Sequence, residues 1–374
     1  MKILIAIDSF KGCFTSAEVG TMVKEVIENK CPTYNVEVFP IADGGEGTLP
    51  IMSNVFGAEN CHCAAHDPLM RPIDGTYSII PSTKTALIEM ADVNGLPLLK
   101  DEERNPMLTT TYGTDELIKD ALNKGCTEFI VGLGGSATND AGVGMLQALG
   151  YHFYDQDNKE VGLGGKYLSD IVSFSTEEVH PHLKEAHFSI ACDVSNPLYG
   201  KEGAAYVFAK QKGADSIMIE NLDKGLRSFS TLIENCTHRN IAYLPGSGAA
   251  GGLGGGMVAF LNAELKSGAE LIMEMCQLQQ KIHEADMLIT GEGKMDAQTL
   301  MGKIPGKILQ IGKANAVKVI GIAGSIEDEK CLKKAGYHQL YAITPKHMSL
   351  QEAMTKSIAT ENLRNTVCKL LNEI

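Results

Sequence analysis

The chain has 374 residues and a net charge of −13, which argues against nucleic acid or an anionic membrane surface as its main partner. This length suggests about two domains, and an apolar content of 44% is enough for real cores. Ten scattered cysteines suggest no disulfide framework and indicate a reducing compartment. With no signal-peptide apolar region and no stretch of ~20 apolar residues, we expect a soluble cytoplasmic protein.

The first 57 residues alternate between strand and helix patterns. Strands are predicted at 3–7 and 36–39. Ser16 is a plausible N-cap of a helix to about residue 29, and Thr48 opens another to about residue 56. The same alternation returns at the other end of the chain. There the predicted elements are strands at 287–290, 317–323 and 339–343, helices at about 305–314 and 328–335, and a closing amphipathic helix over 350–371.

Because the two ends of the chain share this alternation, they most simply form one doubly wound α/β domain of residues 1–60 and 286–374. Residues 61–285 are then an insertion. Runs at 66–80 and 85–90 with turn signals between them predict a mixed or antiparallel sheet at its start. From Thr114 onwards the insertion returns to alternating helix and strand. The elements predicted there include strands at 129–131, 188–192 and 241–244 and a helix at 141–149.

Several predicted strands run into loops that are rich in glycine and acidic residues. In open α/β sheets, loops at the carboxyl ends of strands form the ligand crevice. Glycine lets backbone N–H groups approach phosphate, whereas carboxylates need a divalent cation between them and phosphate. The pattern therefore predicts metal–nucleotide chemistry. The loops are residues 8–12, 43–47, 134–140, 193–196, 245–248 and 291–296.

The first two loops face one crevice if their strands are parallel neighbours. Lys11 is suited to an anionic carboxylate or phosphate. The alternative is that Asp8 and Asp43 only cap helices and that the glycines only make a turn. The candidate substrate-binding or catalytic residues here are Asp8, Ser9, Lys11, Asp43, Gly44, Gly45 and Glu46.

The loop at 134–140 follows a strand and precedes a helix, which predicts a phosphate cradle with hydroxyl and amide donors. A capped strand–helix turn is the alternative. Residues 246–251 match the pattern G-x-G-x-x-G, and a nucleotide wall, a nicotinamide site and plain helix packing all stay open for them, because neither Glu264 nor Glu270 clearly ends a strand. The candidate nucleotide-binding residues are Gly134, Gly135, Ser136, Thr138, Asn139, Gly246 and Gly248.

Further carboxylates follow later strands. Asp193 could bind metal or the substrate hydroxyl, or simply form an Asx-turn. Glu292 and Asp296 are suited to Mg²⁺ or to base chemistry, with a solvated charged loop as the alternative. The soft ligands within residues 61–66 have a spacing that matches no common zinc site, so we interpret them as ordinary residues.

Taken in order along the whole chain, these motifs resemble the type-1 glycerate kinase family. The segments that carry the resemblance include IDSFKG at 7–12, IADGGEGT at 41–48, GLGGSATND at 132–140, ACDV at 191–194, QKGA at 211–214 and ITGEG at 289–293. The resemblance implies ATP-dependent phosphorylation of D-glycerate with Mg²⁺, and it favours the 2-hydroxyl. It also implies two α/β domains: a flavodoxin-like doubly wound parallel sheet built from both chain ends, and an inserted α/β domain.

On this basis we expect Lys11 and the backbone of 44–47 to hold the glycerate carboxylate. Asp43 and Asp193 are both candidates for the base. ATP phosphates are expected along 134–139, with 246–251 as a second candidate wall, and Mg²⁺ at Glu292 or Asp296.

Two other classes of function stay open at this point. One is an NAD(P)-dependent dehydrogenase of a small hydroxy acid, and the other is a non-catalytic nucleotide- or metabolite-binding protein. The oligomeric state is open, with a homodimer as the candidate.

Overall fold

The structure, a computed structural model, describes residues 1–10, 12–39, 41 and 48–373, with the backbone alone at Thr48 and Ile51. The strands are β1 Lys2–Ile7, β2 Asn35–Val38, β3 Glu59–His66, β4 Pro72–Ile80, β5 Thr85–Glu89, β6 Glu128–Gly132, β7 His152–Tyr154, β8 Ser173–Ser175, β9 His187–Ala191, β10 Glu264–Lys266, β11 Met287–Gly291, β12 Lys294–Met295, β13 Lys318–Ala323, β14 Ser325–Ile326 and β15 Gln339–Ala342.

The α-helices alternate with these strands over most of the chain. They are α1 Ser16–Lys30, α2 Thr48–Phe56, α3 Ala91–Asn94, α4 Tyr112–Asn123, α5 Val143–Ala148, α6 Ala204–Phe208, α7 Ser216–Thr237, α8 Leu253–Leu261, α9 Gly268–Met275, α10 Leu278–His283, α11 Ile304–Ala314, α12 Glu329–Ala335, α13 Leu350–Ala353 and α14 Lys356–Glu373. Within the described residues, no helix is both long enough and apolar enough to cross a lipid bilayer.

The chain divides into two compact units. The terminal unit comprises Met1–Asp43 and Ala269–Ile374, and the central unit comprises Gly44–Gly268.

The terminal unit is built on a parallel sheet with strand order β15-β13-β11-β1-β2. Side chains of a strand alternate between its two faces. Ile3, Ile5 and Ile7 accordingly join the core on one face, with α1 and α14, whereas Leu4 and Ala6 join the core on the other, with α11. Burial on both faces explains why this strand is an uninterrupted apolar run.

Helix α1 begins one residue earlier than the sequence predicts, since its N-cap is Thr15 and not Ser16. Thr15 and Glu18 form a capping box, in which the Thr15 hydroxyl accepts from the Glu18 N–H at 3.2 Å. The Ser16 hydroxyl is used elsewhere: it donates to the Ile7 carbonyl at 2.6 Å and accepts from the Ile41 N–H at 2.9 Å. Ser16 therefore ties the end of β1 to the segment that follows β2.

The central unit is built on a mixed sheet with strand order β10-β9-β6-β5-β4-β3. The strands β3, β4 and β5 pair antiparallel, and β5, β6, β9 and β10 pair parallel. This confirms the mixed sheet predicted at the start of the insertion. Phe129 and Phe188, from adjacent strands, stack with their ring centroids 4.7 Å apart in the core of this unit.

The strand predicted at 241–244 is wrong. Ile241 and Ala242 are buried, but the backbone there forms turns and pairs with no strand of the described chain. The Leu198 N–H donates to the Ala242 carbonyl at 3.0 Å, which is a loop contact. The apolar residues therefore indicated burial and not a strand, because a short apolar run is compatible with both a strand and a buried turn.

The predicted closing helix over 350–371 is broken into α13 and α14. Ser349 caps α13 through a capping box with Glu352, so the start of the predicted helix is real although it ends after one turn.

A first prediction concerns the core of the central unit. Ile190 lies on β9 with no exposed surface, and it pairs with Val131 and Leu265 on the two neighbouring strands. We expect Ile190→Ala to lower the free energy of unfolding by about 2–5 kcal/mol, because it removes buried methyl groups and leaves a cavity. Urea titration followed by circular dichroism measures the loss.

The control is Ile217→Ala, since Ile217 lies in the same unit and is 70% exposed. It should change stability by less than about 0.5 kcal/mol. Equal effects of the two substitutions would contradict the placement of Ile190 in the core.

Candidate functional site

The carboxyl ends of β5, β6 and β9 lie side by side in the central unit, so the segments that follow them meet at one edge of the sheet. The loop after β6, residues 134–140, is called the glycine loop below. It pairs with the segment after β5. The Leu96 N–H donates to the Gly135 carbonyl, and the Ala137 N–H donates to the Asn94 carbonyl, both at 2.9 Å.

The second glycine-rich candidate, residues 246–251, lies directly against the glycine loop. The Ala141 N–H donates to the Gly251 carbonyl at 3.1 Å. A Cβ atom on Gly251 would lie 2.1 Å from the Thr138 carbonyl oxygen, and the backbone there has a φ of +67°. Only glycine meets both conditions. Two motifs that are far apart in the sequence are therefore in contact in the structure.

The loop after β9 packs on the same segment. The Gly248 N–H donates to the Asn196 carbonyl at 3.1 Å, and a Cβ atom on Gly248 would lie 2.2 Å from the Pro197 carbonyl oxygen. Asp193 is an exposed residue at the start of this loop. It therefore lies at the same edge of the sheet as the glycine loop.

The predicted nucleotide-binding residues fall into an exposed set and a buried set. Gly134 and Gly135 are exposed and present backbone to solvent. The remaining members are buried beneath them: Ser136, Thr138, Asn139, Gly246 and Gly248. An anion bound at this loop can therefore use the backbone of the exposed glycines, with the buried side chains acting as support.

The buried layer contains polar atoms whose hydrogen bonds are unmade. They are the hydroxyls of Thr138 and Ser247 and the side-chain amide of Asn139, none of which has a hydrogen-bond partner within the described residues. Each such group costs about 1–3 kcal/mol. Unsatisfied buried groups in a native fold are exceptional, which marks this layer as a candidate functional region.

Lys212 lies in the same layer, and sequence reasoning did not select it. Its side chain is only 1% exposed. Its Nζ atom donates to the Ser136 hydroxyl at 2.7 Å and to the Thr138 carbonyl at 2.6 Å. Burial lowers the pKa of Lys212 to about 7, and the Asp140 carboxylate opposes that shift. The signal that could have identified it is the QKGA segment at 211–214, whose role the motif alone did not reveal.

Asp140 anchors the far end of the glycine loop. Its buried carboxylate accepts from the Thr111 N–H at 2.8 Å, the Thr111 hydroxyl at 3.0 Å and the Gly142 N–H at 3.2 Å. Burial raises the pKa of Asp140, and these hydrogen bonds oppose the shift. Asp140 therefore links the loop to the segment before α4 and is a structural part of the site.

Glu89 is a second acidic residue that sequence reasoning did not select. It ends β5, and a Cβ atom on Gly132 would lie 2.2 Å from its carboxylate oxygen. Glycine at the end of β6 thus leaves the room that the Glu89 side chain occupies.

The parallel register places Asp8 and Glu292 next to each other in the terminal unit. Ile7 pairs with Gly291, and the Asp8 N–H donates to the Gly291 carbonyl at 2.8 Å. Asp8 is 4% exposed, and its carboxylate accepts from the Ser9 N–H at 2.6 Å. Two predicted acidic residues from opposite ends of the chain therefore do share one edge of the sheet.

The two predicted metal ligands already have protein partners. Glu292 accepts from the Thr299 hydroxyl at 2.7 Å and from the Lys303 ammonium at 2.8 Å. Asp296 caps the turn that follows and accepts from the Gln298 N–H at 2.8 Å. Their oxygens are of the kind that Mg²⁺ prefers. Over the described ranges, however, no three His, Cys, Asp or Glu side chains converge as a cation site.

Five predicted site residues lie outside the described residues, and their roles stay predictions. They are Lys11, Asp43, Gly44, Gly45 and Glu46. The soft ligands near residue 61 are ordinary strand residues: His62 pairs with Asp74 at 2.9 Å, and His66 pairs with Glu116 at 2.8 Å.

Known proteins resemble this chain over most or all of its length. Residues 3–374 match the model of the glycerate kinase family. A glycerate kinase of Halalkalibacterium halodurans is 38% identical over 366 residues, which is 97% of this chain and 96% of the relative. A glycerate 2-kinase of Escherichia coli is 41% identical over 329 residues, which is 88% of this chain and 86% of the relative.

A solved structure agrees with these matches. The crystal structure of a proposed glycerate kinase 2 from Salmonella typhimurium is 37% identical, with a TM-score of 0.83, over 100% of this chain and 99% of that chain. Parallel and mixed sheets with glycine-rich loops at their strand ends, together with these matches, define an α/β kinase. The chain belongs to the glycerate kinase family, as its motifs predicted.

A prediction follows from Asp115, in the first turn of α4. It has no exposed surface, and neither carboxylate oxygen has a hydrogen-bond partner among the described residues. Burial raises the pKa of Asp115 well above its usual value. The folded state then keeps a proton that the unfolded state releases, so stability falls as the pH rises above about 4.

Asp115→Asn replaces the titratable carboxyl group with a neutral amide, so this source of pH dependence is lost. We therefore expect the variant to gain melting temperature over the wild type, by more at pH 8 than at pH 5, in thermal scans followed by circular dichroism. Asp157→Asn is the control, because the Asp157 side chain is 66% exposed. A gain for Asp115→Asn that is the same at both pH values would contradict a buried, neutral carboxyl group.

Proposed function

We propose that the protein transfers the terminal phosphoryl group of ATP to the 2-hydroxyl of D-glycerate, giving 2-phosphoglycerate and ADP. The family assignment supports the kinase reaction. The name of the Escherichia coli relative, glycerate 2-kinase, supports the position on the substrate. The observation that carries the proposal is the contact between two glycine-rich segments above a layer of buried polar side chains.

Gly134 and Gly135 are proposed to bind the nucleotide phosphates through their backbone. The exposure of these two glycines at the carboxyl ends of the parallel strands of the mixed sheet supports the assignment. The buried residues Ser136, Thr138 and Asn139 keep the loop in shape, and the segment with Gly246 and Gly248 backs it. Phosphoryl transfer needs little covalent chemistry from a protein, so positioning and charge neutralisation carry most of the rate.

The general base is proposed to be Asp193 or Asp43. Asp193 is supported by its exposed position at the sheet edge that also carries the glycine loop. Asp43 is supported by the sequence alone, in which it is the first residue of the glycine-rich loop 43–47. Either carboxylate would accept the proton of the glycerate hydroxyl as the oxygen attacks phosphorus. Lys11, with the backbone of 44–47, is proposed to hold the substrate carboxylate.

Mg²⁺ is proposed as the metal of this reaction, and when bound it would neutralise negative charge on the phosphates. Asp296 and Glu292 supply oxygen atoms of the right kind. Each oxygen of Glu292 accepts a hydrogen bond, from Thr299 or from Lys303, and a carboxylate oxygen can accept a second interaction. Mg²⁺ commonly keeps several waters and uses only one or two carboxylates, which suits this sparse donor set.

We also propose that the terminal unit has a flavodoxin-like fold. When the five strands of its sheet are numbered in chain order, they lie side by side in the order 2-1-3-4-5. This is the strand order of flavodoxin-like domains and supports that fold. We propose domains of 1–60 with 286–374 and of 61–285. The compact units support a central insertion, although they count α2 with the central unit and α9 and α10 with the terminal one. A cytoplasmic location and a homodimer also stay predictions.

The rival functions are less well supported. A dinucleotide fingerprint follows a strand and has an acidic residue at the end of the next one. Residues 246–251 follow turns, Glu264 begins β10, and Glu270 lies in α9. A dehydrogenase therefore lacks its structural context. A non-catalytic binding protein fits poorly with a family of kinases.

The reaction is tested with D-glycerate and Mg·ATP, measuring ADP release and the phosphorus NMR spectrum of the product. We expect stoichiometric ADP and a phosphomonoester on the secondary carbon. A product phosphorylated at the primary hydroxyl would overturn the 2-position while keeping the kinase. No ADP, together with reduction of NAD⁺ or NADP⁺ by glycerate, would favour the dehydrogenase.

The base is tested by substitution. Asp193→Asn and Asp43→Asn keep the size of each side chain and remove its basicity. The variant that lacks the base should lose at least ~100-fold in turnover, because general-base catalysis contributes about that much. Asp157→Asn, on an exposed turn, should keep the wild-type rate. Near-normal turnover in both site variants would remove the assignment.

A further inference from the structure

Burial of the Lys212 side chain costs free energy. The whole side chain is buried, and the loss of hydration lowers the pKa of its amine. A Lys side chain is almost never fully buried without partners. The nearby residue Lys210 lies in the same short helical turn, Lys210–Lys212, and is exposed. The burial of Lys212 is therefore a feature of this position and not of the segment.

The backbone around Lys212 is fixed. Its N–H donates to the Ala209 carbonyl at 3.0 Å, and the next residue, Gly213, has a φ of +94°. A Cβ atom on Gly213 would lie 2.1 Å from the Arg104 carbonyl oxygen. The chain therefore turns away immediately after Lys212, which leaves its side chain directed at the glycine loop.

Two sets of contacts hold the glycine loop. One set comes from the segments at Leu96 and Thr109, and the other comes from Lys212, whose side of the loop is called the inner side below. In the first set, the Gly135 carbonyl accepts from the Leu96 N–H at 2.9 Å, and the Ala137 carbonyl accepts from the Thr109 hydroxyl at 2.8 Å. These contacts hold Gly135 and Ala137.

On the inner side, Lys212 holds Ser136 and Thr138. Its amine reaches the Ser136 hydroxyl at 2.7 Å and the Thr138 carbonyl at 2.6 Å, so a single side chain spans two residues of the loop. The inner hydroxyl of Thr138 has no partner within the described part of the chain. Lys212 thus ties two loop residues to the turn at 210–212.

We propose that Lys212 is a positioning residue that holds the exposed Gly134–Gly135 turn in the shape that binds the nucleotide phosphates. This deepens the proposed function and rests on it. The amine acts through Ser136 and Thr138, and it does not itself contact the ligand, because it has almost no exposed surface. Preorganised backbone donors bind an anion more tightly than donors that must be ordered on binding.

The test compares Lys212→Met with its matched control, Lys210→Met. Both remove one amine from the same turn, but only the first removes a tie to the glycine loop. We expect Lys212→Met to raise the KM for Mg·ATP at least ~10-fold, which corresponds to the loss of one good interaction. The KM for D-glycerate should change less than about twofold, since the loop would bind phosphates and not the acceptor. Lys210→Met should keep both values.

A second readout does not depend on catalysis. Amide hydrogen exchange over 134–139 should become faster in Lys212→Met, whereas exchange in β6 should not, because only the loop has lost its inner tie. Ser136→Ala removes one of the two acceptors and leaves the lysine in place. If Lys212→Met does not fold, Ser136→Ala replaces it in the test. We expect Ser136→Ala to raise the KM for Mg·ATP and the exchange rate over 134–139 by less than Lys212→Met does.

The outcomes separate the two proposals. If the wild-type protein shows no Mg·ATP dependence, the proposed function fails, whatever the loop exchange shows. If the wild type uses Mg·ATP and both Lys212→Met and Ser136→Ala keep its KM and its loop exchange, the positioning role is overturned. A rise in the KM of both substrates by the same factor would also overturn it, because that result indicates a general structural defect.

Discussion

The candidate site of the central unit depends on one close contact between two pieces of backbone. The carbonyl of Thr138 approaches Gly251 so closely that a Cβ atom there would lie 2.1 Å away. This contact joins the glycine loop to a segment more than a hundred positions further along the printed sequence. Polar side chains on both segments are buried around it, and the same Thr138 carbonyl accepts from the Lys212 amine. The glycine at position 251 is therefore required by packing alone.

The terminal unit obeys a second constraint, the register of parallel strands. Pairing of Ile7 with Gly291 brings Asp8 and Glu292 to the same sheet edge, although they come from opposite ends of the chain. The register also explains the partners of Glu292. A buried carboxylate needs a cation and hydrogen-bond donors close by, and Lys303 and Thr299 provide them.

Much of the fold could be predicted from periodicity. The strands near both termini and the mixed sheet agree with the structure, because apolar runs and turn residues act locally. Two of the failures share one cause. Ile241 and Ala242 are buried without pairing, and the hydroxyl of Ser16 bonds to Ile7 and Ile41 although its position suggested a cap. The contacts of such a side chain or apolar run depend on segments that are distant in the sequence, so they cannot be predicted from the local pattern.

The sequence by itself determined the family, the alternation of strands and helices, and the glycine-rich loops, because each is written in contiguous residues. Only the tertiary structure decided which loops touch, which loop side chains are exposed, and that Lys212 lies beneath the glycine loop. The physical reason is that burial and hydrogen bonding of these groups arise between segments that are remote along the chain. A lysine in a short motif looks the same whether it faces water or holds a loop in place.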